Sequence, residues 1–375
     1  HISIAGKKVV SPTPLEDITF RKYLVNIPAR EVRKHIYNPC EATNEESQTY
    51  RDLVEDIGEC CPNMLWLRYA APSRKVMKQC RLPISDDINL VSEEAVQAVN
   101  KHLASVKPLT AEECSSITAR TVGQSENREW HKERVGRITS SVFKRAAKCR
   151  MPDGLIKLVL YPKLSAYSEA IAYGRRNESA AVSAYCELMA AYEKEVCVQA
   201  TGLHVHHEYP FLAASPDRIV KDGSEVGLLE VKCPFSKIGL TPLEACNDKN
   251  FCCRLVNGEV QLRRDHAYYY QVQGQMAVTG SEWCDLVVWT NAGNIARSMH
   301  IERIYFDSFL WHSDVLPALL HFVRYALIPE LLTQRVRRMG RLYTQGRYVS
   351  YKQCKKGYYT SEPGSGLKLK IRRFK

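Results

Sequence analysis

The fold is decided by one short stretch: Ser215-Pro216-Asp217, twelve further residues, and then Glu230-Val231-Lys232-Cys233-Pro234. Between the two runs lies Asp222-Gly223, flanked on both sides by strand-forming residues, and this dipeptide is typical of a two-residue β-hairpin turn. Residues two apart on an extended strand point to the same face, so Glu230 and Lys232 project together while Val231 packs on the opposite side. The stretch therefore predicts a hairpin that places Asp217 alongside Glu230 and Lys232.

These three side chains suit a metal-assisted hydrolysis. Two carboxylates at one strand end repel each other unless a cation lies between them, and their oxygen atoms are the ligands that Mg²⁺ and Mn²⁺ prefer. Such an ion activates water and stabilises a phosphate transition state, and Lys232 would position or deprotonate that water. A surface hairpin with an ordinary Glu–Lys pair is the alternative, but it explains neither Pro216-Asp217 before the turn nor the apolar strand around Glu230.

The order of predicted elements around the hairpin indicates an α/β fold. Amphipathic and apolar patterns predict a helix, two strands, the hairpin, a helix, two further strands and a long helix. These elements span 165–192, 194–200, 204–214, 218–232, 266–279, 284–290, 298–305 and 307–332. We therefore predict a mixed β-sheet flanked by helices.

We predict three regions along the chain. Residues 1–115 form a mainly helical N-terminal accessory region, with helical patterns near 46–57 and 92–105, and we find no catalytic constellation in it. Residues 116–334 hold the α/β pattern and the hairpin. Residues 335–375 form a basic tail that contains aromatic residues.

The net charge of +12 lies entirely in this tail. From Arg335 onward thirteen Lys and Arg side chains accompany one acid, Glu362, whereas the remaining 334 residues hold forty basic and forty acidic side chains. Cations can neutralise phosphates and rings can stack on unpaired bases, so we predict that the tail contacts nucleic acid. A solvated basic terminus, or a nuclear-import signal over 368–375, is the alternative. The interleaved aromatic residues are Tyr343, Tyr348, Tyr351, Tyr358, Tyr359 and Phe374.

Three broad classes of protein are disfavoured by composition. The fourteen cysteines form no CxxC pair, so we expect reduced thiols and neither zinc nor an iron–sulfur cluster. No run of 18 or more apolar residues occurs, so we expect no membrane partner. The N-terminus shows no signal-peptide pattern, so we expect an intracellular protein, nuclear in a eukaryote and cytoplasmic in a phage or bacterium.

Four separated motifs, within about residues 128–330, resemble the PD-(D/E)xK nuclease superfamily, and within it the phage lambda exonuclease and YqaJ-type viral recombinase family. They are similar to the family's W-x-x-x-R-x-G-x-I-T-A-S segment, its Glu-bearing helix, its S-x-D and E-x-K-C-P-F core, and its Q-V-Q helix. In this chain the motifs are Trp130–Ser141, Gly174–Glu178, Ser215–Phe235 and Tyr270–Met276, and Ser140 replaces the usual Ala. The resemblance implies a restriction-endonuclease-like core.

The resemblance also implies the roles of the metal-site residues. Asp217 and Glu230 would bind Mg²⁺ or Mn²⁺, two ions per site, with the Val231 carbonyl as a further ligand. Glu178 would act at the same ions, directly or through water. Lys232 would be the catalytic lysine.

Three glutamines lie on the predicted helix of the fourth motif. Gln271 and Gln275 are one turn apart, whereas Gln273 lies on a different face. The resemblance, together with this geometry, assigns Gln273 to orienting the water or the scissile phosphate.

A second set of residues is implied to bind a terminal 5′-phosphate of DNA. Arg134 matches the family's phosphate-binding arginine, and Arg137 and Lys237 are further basic candidates. Independently, Thr139-Ser140-Ser141 opens a predicted helix whose free backbone amides favour an anion. Lys237 stands where the family has an arginine, which keeps the charge but loses the bidentate geometry. Simple helix capping beside a surface arginine is the alternative.

We therefore expect a metal-dependent DNA exonuclease of recombination and repair, which digests duplex ends from 5′ to 3′ and prefers a 5′-phosphate. Its nucleic-acid partners would be duplex DNA with free ends and the single-stranded product. The resemblance leaves open a homo-oligomer and a partner that binds or anneals single strands. Two alternatives remain open as well: an endonuclease on the same core, and a non-catalytic nucleic-acid-binding module, although Asp217, Glu230 and Lys232 are all present.

Overall fold

The computed structural model describes residues 89–162, 168–344 and 346–355, together with the backbone of residues 2–4 and 7–9. The chain divides into two units, His1–Arg81 and Leu82–Lys375. In the first unit, strands β1 (Ile2–Ile4) and β2 (Lys7–Val9) pair antiparallel. The helix predicted near 46–57 lies outside the described residues.

Capping residues determine where the first two helices of the second unit begin. Helix α1 (Glu93–Ser105) begins after Ser92, whose side chain accepts a hydrogen bond from the backbone N of Ala95 at 3.3 Å. Helix α2 (Ala111–Arg120) begins with Thr110 and Glu113 in a capping box. The predicted helix near 92–105 is confirmed, and it lies in the larger unit.

The predicted elements appear in the predicted order, and further short helices and strands lie between them. The helices are α3 (Arg128–Arg134), α4 (Phe143–Ala147), α5 (Asp153–Leu160), α6 (Glu169–Ala191), α7 (Pro242–Ala245), α8 (Ala267–Thr279), α9 (Ile295–Ser298), α10 (Ser308–Thr333), α11 (Arg335–Met339) and α12 (Tyr351–Lys355). The strands are β3 (Ile138–Thr139), β4 (Val196–Ala200), β5 (His204–Val205), β6 (Leu212–Ala214), β7 (Arg218–Asp222), β8 (Glu225–Lys232), β9 (Cys253–Val256), β10 (Glu259–Leu262), β11 (Trp283–Trp289) and β12 (Met299–Tyr305). The single strand predicted over 204–214 is wrong, because two short strands, β5 and β6, form there instead.

The core is a five-stranded mixed sheet in the order β12-β11-β8-β7-β4. Strands β8 and β11 pair parallel, and the other neighbours pair antiparallel. Apolar side chains of α6 pack on one face of this sheet, and those of α8 pack on the other face. The predicted fold class, a mixed β-sheet flanked by helices, is confirmed.

The predicted hairpin joins β7 to β8 at the centre of this sheet. Asp222 pairs with Glu225, so the two turn residues are Gly223 and Ser224 and not the predicted Asp222-Gly223. Gly223 has a φ of +60°, a left-handed conformation that glycine adopts without strain. A second hairpin, β9–β10, turns at Asn257-Gly258 and forms a separate two-stranded sheet. Strands β3, β6 and β5 make a small third sheet.

Helix α10 is the central helix of the largest apolar cluster. By length and composition alone it could span a membrane, yet 67% of its most apolar window is buried inside the protein. Leu319, Phe322 and Ala326 are among its fully buried residues. These contacts identify α10 as a core helix.

The first half of the predicted basic tail packs onto this cluster. Val336, Leu342 and Tyr348 are buried in it, and the Tyr343 hydroxyl donates a hydrogen bond to the backbone O of Tyr325 at 2.6 Å. The prediction that Tyr348 offers a stacking face to bases is therefore wrong, because its ring is buried in the core, whereas the partly buried Tyr343 stays a predicted base contact. Residues 356–375, with Tyr358, Tyr359 and Phe374, lie outside the described residues.

Candidate active site

The β7–β8 hairpin brings the first carboxylate to its predicted place. Asp217 directly precedes β7, and its Oδ2 accepts a hydrogen bond from the backbone N of Val231 at 2.7 Å. Val231 lies on the neighbouring strand between Glu230 and Lys232. The bond therefore ties Asp217 to the strand that carries the other two residues.

Glu230 lies at the centre of a polar cluster under α8. Its side chain is buried, with 1% of the residue exposed, and it forms an ion pair with Lys232. Gln271 donates to Oε1 of Glu230, and Gln275 donates to Oε2 at 2.6 Å. A buried charge needs partners of this kind, because an unpaired one is strongly destabilising.

Electrostatics within the cluster favours an additional cation. Burial and the nearby carboxylates of Glu230 and Glu178 raise the pKa of Asp217, although Lys232 opposes the change. Burial by itself would lower the pKa of Lys232, but Glu230 and Asp217 raise it above its usual value. Lys232 is therefore protonated in this arrangement, and Lys232 and Arg218 together face the three carboxylates of Asp217, Glu230 and Glu178.

The Lys232 ammonium group also lies over an aromatic ring. Its Nζ is 4.8 Å from the ring centroid of Tyr268, which is within the range of a cation–π interaction. Tyr268 lies in the first turn of α8. Two elements, β8 and α8, thus hold the lysine in position.

Glu178 reaches the cluster from α6 on the other side of the hairpin. Its Oε1 accepts a hydrogen bond from the guanidinium of Arg218 at 3.0 Å, and 34% of its side chain is exposed. Because Glu178 influences the pKa of Asp217, the two carboxylates are close enough to interact electrostatically. The predicted Glu178 is thus brought near Asp217, with Arg218 as its direct partner.

The residues present fit a divalent cation that keeps part of its water shell. Among the described residues, no three His, Cys, Asp or Glu side chains form a ready-made metal cage. Mg²⁺ needs no such cage, because one or two protein carboxylates plus water and substrate phosphate complete its octahedral shell. Oε1 of Gln275 is buried and accepts no hydrogen bond from any described residue, which leaves an acceptor for a water beside Glu230. The Val231 carbonyl remains a predicted ligand.

Gln273 does not lie in this cluster, which corrects its predicted assignment. Its Nε2 donates to the backbone O of Tyr305 at 2.9 Å, and its Oε1 accepts from the backbone N of Asp307 at 2.7 Å. It is fully buried. The sequence separates the two helix faces correctly, but the face that meets Glu230 carries Gln271 and Gln275.

Replacement of Gln273 should affect mainly the stability of the protein, whereas replacement of Gln275 should affect mainly the rate of hydrolysis. Gln273→Ala should lower the free energy of unfolding by about 1–3 kcal/mol, because it removes the buried side chain that pairs with the partly buried backbone O of Tyr305 and backbone N of Asp307. The rate per folded molecule should stay near that of the wild type. Gln275→Ala should lower that rate, because it removes a donor from Glu230. Denaturant titration together with DNA hydrolysis assays measures both quantities, and a rate loss confined to Gln273→Ala would contradict this assignment.

The predicted phosphate site forms around Arg134. The guanidinium donates to the Thr139 hydroxyl at 3.3 Å, and the Thr139 and Ser141 hydroxyls lie 3.3 Å apart. The guanidinium also stacks on the ring of Trp130, 4.0 Å from its centroid. Burial lowers the pKa of Arg134 to about 10, so it stays cationic at neutral pH while it is partly removed from water.

The other predicted phosphate ligands are placed less favourably. Arg137 is held by the Glu133 carboxylate at 2.8 Å and by the backbone O of Pro210 at 3.0 Å. Ser140 is buried, with 3% of the residue exposed, and Lys237 forms an ion pair with Asp248. The helix predicted to open at Thr139-Ser140-Ser141 is a 3₁₀ turn (Ser140–Val142) followed by α4. Arg134, Thr139 and Ser141 are therefore the members of this set that come together.

Two contacts that sequence reasoning missed connect the phosphate site to the hairpin. Nε1 of Trp130 donates to the Ser215 hydroxyl at 2.9 Å, and Nε2 of Gln124 donates to the backbone O of Pro216 at 2.8 Å. Ser215 and Pro216, which directly precede Asp217, are thus held near the segment that carries Arg134. A local sequence pattern cannot predict such contacts, because 85 or more residues separate the partners.

We compared the chain with protein families and with known proteins. A family model described as the YqaJ-like viral recombinase domain matches residues 129–282. No curated protein sequence matches the chain significantly.

Among solved structures, the chain is similar to an alkaline exonuclease from Laribacter hongkongensis, with 22% identity, 57% of this chain and 100% of that chain covered, and a TM-score of 0.41. It is also similar to the shutoff and exonuclease protein of Kaposi's sarcoma-associated herpesvirus, with 13% identity, 64% and 75% covered, and a TM-score of 0.41. A phage-related exonuclease from Haemophilus somnus has 14% identity, 64% and 99% covered, and a TM-score of 0.34.

The family match contains all four motifs that resembled this family in the sequence. It also contains Arg134, Glu178, Asp217, Glu230 and Lys232. Residues 129–282 of this chain therefore match the model of the YqaJ-like viral recombinase domain.

Proposed function

We propose that this protein is a metal-dependent DNA exonuclease that hydrolyses phosphodiester bonds from duplex ends. The observation that carries the proposal is the convergence of Asp217, Glu230 and Lys232 at the end of the central hairpin. Two carboxylates and a protonated lysine in one partly buried cluster are the groups that phosphodiester hydrolysis requires.

Each residue has a distinct role in this proposal. Asp217 and Glu230 would hold Mg²⁺ or Mn²⁺, with the Val231 carbonyl and Glu178 as further contributors. Such an ion, when bound, supplies Lewis-acid stabilisation of the phosphate and a more acidic water. Lys232 would donate hydrogen bonds to the attacking water and to the phosphate oxygen on which charge develops.

Glutamine and tyrosine side chains would keep this machinery in place. Gln271 and Gln275 orient the Glu230 carboxylate through both of its oxygens. Tyr268 restrains the Lys232 ammonium through its ring. Such preorganisation matters because positioned charges need not reorganise during the reaction.

The proposal extends to the choice of end. Arg134, Thr139 and Ser141 would bind a terminal 5′-phosphate, so digestion would proceed from 5′ to 3′. A guanidinium provides paired N–H donors for phosphate oxygens, and a terminal monoester carries more negative charge than an internal diester.

The experiment that tests the proposal compares linear and closed circular DNA. With Mg²⁺, linear duplexes labelled at the 5′ end should release the label early, whereas 3′-end label should be released late and closed circles should stay intact. Omission of the metal or addition of EDTA should stop the reaction. Cleavage of closed circles at a similar rate would support an endonuclease on the same core instead.

The basic C-terminus provides a separate prediction about affinity. Removal of residues 356–375, which hold six Lys and Arg side chains and one acid, should weaken DNA binding while the protein still folds and hydrolyses DNA at low salt. Each phosphate contact that is lost should reduce the slope of log K against log salt by about 0.9 on duplex DNA. Binding titrations over a range of salt concentrations measure this slope, and an unchanged slope would mean that the tail does not touch DNA.

The longer deletion of residues 335–375 serves as a contrast. It removes Val336, Leu342 and Tyr348 from the core, and burial of each large apolar side chain is worth roughly 1.5–3 kcal/mol. We expect this variant to melt at a markedly lower temperature, or to fail to fold.

A further inference from the structure

His266 is an unusual choice for the residue that caps α8. Its Nδ1 accepts a hydrogen bond from the backbone N of Tyr268 at 3.2 Å, which satisfies one free amide of the 13-residue helix. Ser, Thr, Asp and Asn do this better, so capping alone does not explain a histidine here. Because Nδ1 is an acceptor, the proton of the neutral ring is on Nε2.

Tyr268 lies between this ring and the lysine of the proposed nuclease cluster. The ring centroids of His266 and Tyr268 are 4.6 Å apart, and Lys232 lies over the same tyrosine ring at 4.8 Å. His266 is half-buried, and no described residue accepts a hydrogen bond from its Nε2. The donor is therefore available to a ligand beside Lys232.

The charged groups around His266 suit an anion. Those that influence it are the cations Lys144, Arg263 and Lys232 and one acid, Asp265, which forms an ion pair with Arg263 at 3.3 Å. Burial, with help from Lys144 and Arg263, lowers the pKa of His266. The ring is therefore a neutral donor at pH 7, and a neutral donor can bind a phosphate without adding charge.

Helix α8, which begins after His266, also packs near the proposed phosphate site. Helix α8 packs against the Ser140–Val142 turn and against α4, so it joins the Arg134–Ser141 region to the cluster at Glu230. A DNA strand with its 5′ end at Arg134 and its scissile bond at Lys232 would pass the first turn of α8.

Building on the proposed nuclease function, we propose that the Nε2–H of His266 donates a hydrogen bond to a backbone phosphate of the bound DNA strand, close to the scissile bond. His266 is thus a binding residue of this site in addition to a helix cap. The two roles can be separated, because Ser caps a helix but cannot reach as far as the imidazole Nε2.

The test compares His266→Ser, which keeps the cap, with wild type and with Ser92→Ala. The last variant removes the cap of α1, a helix that is also 13 residues long, and it serves as the control for a lost cap elsewhere. Affinity for a 5′-phosphorylated duplex is measured in EDTA, so that binding is read without hydrolysis. A hydrogen bond to a charged partner is worth roughly 10- to 100-fold, so Kd should rise by about that factor in His266→Ser and stay unchanged in Ser92→Ala, with thermal stability of His266→Ser near that of wild type.

A phosphate-by-phosphate comparison completes the test. Duplexes that carry a neutral methylphosphonate at one of the first few linkages from the 5′ end should bind wild type more weakly. At one of these linkages the methylphosphonate should not weaken binding to His266→Ser, because the phosphate that His266 contacts in the wild type has no partner in this variant. Equal Kd values for wild type and His266→Ser, or equal losses at every linkage, would overturn the inference. Failure of the wild type to digest DNA with Mg²⁺ would instead overturn the proposed function, and the binding result would still decide the role of His266.

Discussion

Lys232→Ala should reduce the rate of Mg²⁺-dependent DNA hydrolysis by at least ~10²-fold, the usual effect of removing a group that stabilises the transition state. Lys232 is the protonated member of a cluster with three carboxylates. Its loss removes the charge that would face the developing negative charge on phosphate. Asp217→Asn and Glu230→Gln should have comparable effects, because each keeps the shape of the side chain but weakens the metal site.

The control for this prediction is Lys221→Ala. Lys221 lies on β7, in the same hairpin, but its side chain is exposed, so both activity and stability should stay near those of wild type. Single-turnover rates with saturating enzyme measure the chemical step apart from binding. A rate for purified Lys232→Ala within a few-fold of wild type would refute the assignment of this cluster to catalysis.

Arg134→Ala should selectively abolish the preference for 5′-phosphorylated ends. Wild type should digest a 5′-phosphorylated duplex faster than the same duplex with a 5′-hydroxyl, by roughly 10- to 100-fold for a charged hydrogen-bonded contact. In the variant the two substrates should be digested at similar rates. Arg134→Lys should recover part of the preference, because lysine keeps the charge but not the paired donors.

The ratio of the two rates is the informative quantity here. Arg134 also packs on Trp130, so its removal is expected to lower stability and to depress both rates together. Arg145→Ala, which changes an exposed arginine on α4, should leave the ratio at its wild-type value. If wild type itself digests both ends equally, the Arg134 cluster does not select a terminal phosphate.

The glutamines of α8 illustrate the limit of sequence reasoning. Helical periodicity separates Gln273 from Gln271 and Gln275, but it does not say which face meets the sheet. Close packing determines the rotation of the helix: Gly274 lies against Phe143, where an added Cβ would be 2.2 Å from a ring carbon. That contact spans more than a hundred residues of sequence and is invisible in the local pattern.

The C-terminal segment shows the same limit for composition. The excess of basic residues from Arg335 onward is a property of the sequence, and it predicts a tail that contacts nucleic acid, with a solvated basic terminus as the alternative. The structure shows that Val336, Leu342 and Tyr348 instead complete the cluster around α10. The sequence alone does not show that these apolar residues are buried, because the surface of α10 against which they pack is formed only in the folded protein.

The sequence by itself determined the mixed sheet, the β7–β8 hairpin and the placement of Asp217, Glu230 and Lys232 on it. These features depend on local physics: the two-residue period of a strand, the glycine-containing turn and the capping residues act over a few neighbours. Only the tertiary structure decided that Gln271 and Gln275 hold Glu230, that the Tyr268 ring lies against Lys232, and that Gln273 supports the start of α10. These contacts join elements far apart in the chain, and packing of the whole core, which no local pattern encodes, sets their distances.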